Sequence, residues 1–163
     1  MIFLAGVIGF VLGFVCKVAL EQNKFILAVW ESDPIIVVCP DSQVTPYRVQ
    51  LAVDWWGIRG HNLSYVHWDN DNQICSKGTF MKGMIFIRAN GELLRDTYAI
   101  TARLALAGRM QSATIVLPNE HKYMPRLLEH ELGHALGFTH VNKEGHMMHP
   151  IHERGGEKFW IPD

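Results

Sequence analysis

Ile2 to Cys16 is an unbroken apolar run, and beyond Lys17 the apolar character continues through Val18, Ala19 and Leu20. As a helix rising about 1.5 Å per residue, such a run covers about 28 Å, close to the ~30 Å hydrocarbon thickness of a bilayer. It is apolar on every face, whereas a helix packed on a globular core carries one apolar stripe. The pattern predicts an N-terminal transmembrane helix, with Lys17 reaching back to the headgroups. Residues 1–24 are therefore read as a membrane anchor and connector, and residues 25–163 as the folded domain. A cleaved signal peptide competes with this reading, but no Lys or Arg precedes the run and no A-x-A pattern follows it. Lys17 and Lys24, on the C-terminal flank, favour a cytoplasmic domain by the positive-inside rule.

After residue 24 the period changes. Pro34 to Cys39 is a β-branched run closed by Pro40 and Asp41, and it predicts a buried strand. Thr45 offers an N-cap with Pro46 at the first helical position, and Val49, Ala52, Trp56 and their neighbours follow at helical spacing to about Gly60. Asn62 to Trp68 alternates as a second strand, and Met84 to Arg88 forms a third, stopped by the Asn90-Gly91 turn signal. Tyr98 to Ala107 is ambiguous between strand and helix, with a strand expected, Ala113 to Pro118 reads as a last strand, and Pro125 to Gly137 as a helix. Strands interleaved with two helices predict an α/β (α+β) domain with a mixed, twisted sheet.

Composition narrows the partners. The chain has 15 Lys+Arg against 16 Asp+Glu and a net charge of −1, which leaves no basic footprint for nucleic acid. Its 48% apolar content is enough for a packed core. Of three cysteines, Cys16 lies in the apolar run, so Cys39 and Cys75 are the one pair available to the folded domain.

Seven of the nine histidines fall between His121 and His152. Within that window, His130-Glu131-Leu132-Gly133-His134 sets two imidazoles four residues apart, on one helical face and about one turn apart. That spacing can bite one metal ion, with Glu131 beside it as a general base that is not itself a ligand. Gly137 can take the left-handed conformation that ends a helix and returns the chain, delivering His140 as a third ligand. Three neutral imidazoles with an open fourth position describe a catalytic zinc site. His146, His149 and His152 read as solvated loop residues, with an approach of one of them to the metal or substrate as the alternative, and His121 as a helix cap or surface residue, with a place in the site lining as the alternative. Of the adjacent Trp55 and Trp56, one is expected in the core and the other partly exposed. Phe159 and Trp160 are expected to seal an apolar patch near the C-terminus.

The run from His130 to Pro150 resembles the metzincin zinc peptidases, and most closely their matrixin branch, through the third histidine followed by Gly145, Met148 and Pro150. The resemblance implies a zincin-like fold with an active-site helix and a short C-terminal subdomain. It further implies Zn²⁺ on His130, His134 and His140, Glu131 as catalytic base, and Met148 as the Met-turn residue beneath the metal. Leu106 stands where that family supplies a histidine to a second zinc, and Val141 where a serine is usual. An endopeptidase acting on protein or peptide substrates follows, with its domain on the extracytoplasmic side of a single-pass anchor. The Tyr98 to Ala107 segment is expected as the sheet edge along which an extended substrate would lie. A zinc-held module that cleaves nothing and an amidase acting on cell-wall peptides are the competing readings; Glu131 argues against the first, since holding a metal does not require it.

Overall fold

The computed structural model of the chain describes residues 25–78, 80–89 and 97–162. Among the described residues no helix is long and apolar enough to cross a membrane, so they lend the transmembrane expectation no support. The run from Ile2 to Leu20 and the Asn90-Gly91 turn both lie outside the described residues.

Among the described residues, five strands and two α-helices follow in the order β1 (Ile35–Val38), α1 (Pro46–Gly57), β2 (Val66–Trp68), β3 (Met84–Arg88), β4 (Ile100–Leu106), β5 (Arg109–Val116) and α2 (Leu127–Ala135). The sheet order is β2-β1-β3-β5-β4, parallel throughout except for β4, which runs antiparallel at the edge. Buried on both faces, β1 and β3 are continuous β-branched and aromatic runs, as parallel strands require. Pro46 and the Thr45 side chain start α1, the hydroxyl accepting from the Arg48 amide at 3.3 Å. The second strand is shorter than its alternation suggested, with Val66 to Trp68 in register with Ile36 to Val38 of β1.

The ambiguous segment from Tyr98 to Ala107 resolves as strand β4. Its alanines and leucines suit a helix, but pairing with β5 overrides that propensity. Ala107 and Gly108 join the two strands with positive φ at both positions, as a two-residue type I′ turn needs. Among the described residues β4 pairs with β5 alone, so its other edge is open there.

One face of the sheet presents Ile36, Val38, Ile85, Ile87, Ala113 and Ile115 to α1 and α2, where Trp56, Leu128 and Leu132 are fully buried. The opposite face carries Val37 and Phe86 against a disulfide between Cys39 and Cys75. The bond ties the end of β1 to the loop after β2 across 36 positions of sequence. Closing a loop of that size contributes about 4 kcal/mol in the chain-entropy account.

A strap from Phe25 to Val29 crosses the end of α2. Leu27 donates to the Gly137 carbonyl at 2.9 Å, and a Cβ on Gly137 would lie 2.0 Å from the Ala28 oxygen. With φ at +106°, Gly137 is needed for both conformation and clearance, and it ends α2 as the sequence predicted.

Candidate metal centre

Helix α2 begins at Leu127, two residues later than Pro125, because Arg126 takes a left-handed conformation at the N-cap, with no side-chain cap. Within the helix, His130 and His134 project from one face, and the turn after Gly137 brings His140 back to them. One nitrogen from each of the three rings lies within 4.8 Å of the others. The Nε2 atoms of His134 and His140 are 3.1 Å apart. Two imidazole nitrogens about 2.05 Å from one tetrahedral zinc stand about 3.3 Å apart, so the spacing suits such an ion. Among the described residues this is the one His, Cys, Asp or Glu group of that kind, and Leu106 is exposed at the end of β4.

Each ring on the helix is oriented from behind. His130 donates through Nδ1 to the Met147 carbonyl at 2.8 Å, and His134 through Nδ1 to the Phe138 carbonyl at 2.9 Å. A carbonyl only accepts, so both Nδ1 atoms carry the proton and both Nε2 lone pairs face the cluster. Burial lowers the His130 imidazole to about 4 and the His134 imidazole to about 3, and it lowers His140 as well. All three rings are neutral at pH 7, the form that ligates metal.

Glu131 is buried beside the cluster. Burial pushes its carboxyl up to about 7, against the opposing pull of the Thr101 hydroxyl and the Arg103 charge. Thr101 donates to Oε2 from β4. Arg103, two positions along the same strand face, donates to the Phe138 carbonyl at 3.1 Å and ties β4 to the end of α2. The sequence analysis missed both residues. The i, i+2 spacing of two polar residues in a strand is the signal that could have found them, once the segment is known to be a strand.

Met148 is fully buried, and its sulfur lies so close to α2 that a Cβ on Gly133 would meet it at 2.3 Å. The expected Met-turn residue therefore packs under the histidine helix, and Gly133 is what lets it approach. Met147, its less well spaced neighbour, contributes the carbonyl that orients His130.

His146 and His149 are not the solvated residues expected. His146 is fully buried; its Nδ1 accepts from the Met148 amide at 3.0 Å and its Nε2 donates to the Trp160 carbonyl at 3.0 Å. It thereby holds the Met148 turn to the C-terminal segment. His149 is buried and lines the cleft with the half-buried His152. His121 packs edge-on against Tyr98 and caps nothing. Trp56 is the core tryptophan and Trp55 the partly exposed one, as expected. Phe159 closes an aromatic cluster with Trp56, Phe138 and Phe25, away from the cleft.

The three rings and Glu131 line a cleft of about 620 Å³. β4 forms one wall, and the segment from Pro150 to Glu153 forms the other.

A family model described as matrixin matches residues 51–163, which includes α2, the three histidines and the turn at Met148. The chain belongs to the matrixin family. Matrixins are zinc-dependent metallopeptidases, and the mixed five-stranded sheet with its flanking helices is a matrixin-like fold. No curated protein and no solved structure matches this matrixin.

Proposed function

We propose that this chain is a zinc-dependent endopeptidase, with His130, His134 and His140 as the zinc ligands and Glu131 as the general base. The observation that carries the reading is the convergence of three neutral imidazoles beside a buried carboxylate that is not one of the converging ligands. The donor set fits the ion: three nitrogen ligands, two of them fixed in their tautomer by backbone carbonyls, and no fourth side chain among the described residues. Zinc, when bound, supplies Lewis acidity, polarising a carbonyl and acidifying water.

The protein's own groups do the rest. Thr101 holds Oε2 of Glu131, so Oε1 is the atom placed to accept a proton from the attacking water and return it to the leaving amine. A substrate backbone pairs with the open edge of β4 as an added strand, which lays the scissile bond across the histidines. Met148 supports the ligand helix from below.

Chelator treatment is expected to abolish cleavage of a quenched-peptide library, and a single equivalent of zinc to restore it. Zinc uptake by the chain with no cleavage of any peptide would favour a metal-held module instead.

The Cys39–Cys75 disulfide supports an extracytoplasmic setting, because paired thiols do not persist in a reducing cytosol. The run from Ile2 to Leu20 is proposed as the anchor that holds the domain at the membrane. Full-length chain is expected to stay with the membrane pellet through alkaline carbonate extraction, and its release into the supernatant would rule the anchor out.

A further inference from the structure

We propose that Glu153, held by Tyr98 across one end of the cleft, selects peptides that place a lysine or arginine side chain beside Leu127. The proposal takes its setting from the peptidase reading and adds a substrate class to it. This end of the cleft is built from Thr97 to Ile100 on one side, Pro150 to Glu153 on the other, and Leu127 of α2 between them. Tyr98 donates through its hydroxyl to Glu153 Oε1 at 3.1 Å, joining the two walls. The Tyr98 ring is set by edge contacts to His121 and His152, with centroids 5.1 and 5.8 Å away.

Among the described residues at this end, Glu153 is the charged side chain that lines the cleft. Among the described residues, Glu131 and Glu153 are the carboxylates lining the whole cleft, and Arg103 is its lysine or arginine. Arg103 is committed elsewhere, donating to the His134 and Phe138 carbonyls at the far end of α2. Burial lowers the pKa of His152 and Arg126 acts in the same direction, against the opposing pull of Glu153, and Arg126 itself does not line the cleft. Tyr98 and the residue's own amide leave Glu153 with acceptor capacity, since a carboxylate takes up to about four hydrogen bonds.

The same end of the cleft also carries apolar side chains. Leu127 is buried, while Ile100 and Ile151 are 43% and 47% exposed. A long basic side chain matches both features, its methylene stem lying on Leu127, Ile100 and Ile151 and its charged head reaching Glu153. An apolar side chain of equal length makes the first contact only, and an acidic one meets a like charge.

The test uses the zinc-loaded full chain at low ionic strength and peptides identical except for one residue beside the scissile bond, which is lysine, norleucine or glutamate. Glu153 is exposed, so the lysine peptide is expected to exceed the norleucine peptide by about fivefold in kcat/KM. Glu153→Gln is expected to bring that ratio to unity, and Glu153→Lys to favour glutamate. Equal rates for lysine and norleucine, or a ratio that survives Glu153→Gln, overturns the proposal. Fluorescence anisotropy with the Glu131→Gln chain reads the same preference as affinity, without turnover. If the wild type cuts no peptide, the peptidase reading fails, and the affinity ratio still decides the role of Glu153.

Discussion

Glu131→Gln is expected to lower kcat by about 10³-fold while zinc content and the thermal midpoint hold, since a positioned general base contributes 10²–10⁴-fold. Glutamine has the shape of glutamate, and its amide oxygen can still accept from Thr101. It cannot take a proton from water. Metal retention follows because the converging ligand atoms all belong to His130, His134 and His140. Stability holds because a neutral amide avoids the desolvation penalty that burial imposes on the carboxylate. His134→Ala is the contrasting variant and is expected to lose zinc together with activity. Metal analysis alongside single-turnover rates separates the two outcomes. A Glu131→Gln chain that retained more than about a tenth of wild-type kcat would remove Glu131 from the chemistry.

The second large effect lies behind the cleft. Arg48 on α1 meets Glu129 on α2 through two parallel hydrogen bonds of 2.7 and 2.6 Å, with both side chains about nine-tenths buried. Glu129 immediately precedes His130, and its carbonyl accepts from the Trp56 indole at 2.8 Å. The pair thus pins the ligand-bearing helix to α1. Arg48→Met is expected to cost about 3–5 kcal/mol, because it leaves a buried carboxylate unpaired. The double variant Arg48→Met/Glu129→Leu is expected to recover most of that loss, since no charge is then stranded. Urea unfolding of the three chains measures both terms. A loss below about 1 kcal/mol in the single variant would mean that the pair behaves as a solvent-screened surface bridge.

Much of the centre was legible before any coordinates. The four-residue spacing of His130 and His134 and the glycine at 137 act through backbone geometry within a few residues, and α2 realises both. The strand at Met84 to Arg88 has the bounds its composition suggested, because a run of apolar residues there has no use outside a buried sheet. β4 was ambiguous for the opposite reason. Its alanines and leucines favour a helix, and β5 had to be in place to draw it into the sheet.

Local pattern also misjudged the histidines after the metal cluster. His146 and His149 sit in a polar stretch that resembles a solvated loop, yet the segment ending at Trp160 folds back over His146 and takes its ring out of water. No neighbour in sequence announces that cover.

Residue spacing along the chain thus pointed to the three imidazoles and the acid among them, since each depends on one helix and the turn that follows, while Met148 came with the matrixin resemblance. The packed chain alone supplied the Thr101 contact to Glu131 across 30 positions, the Arg48–Glu129 pair across 81, and the bond between Cys39 and Cys75. These join elements whose adjacency is set by strand order and by which faces must leave water, and neither is written in any short stretch of residues.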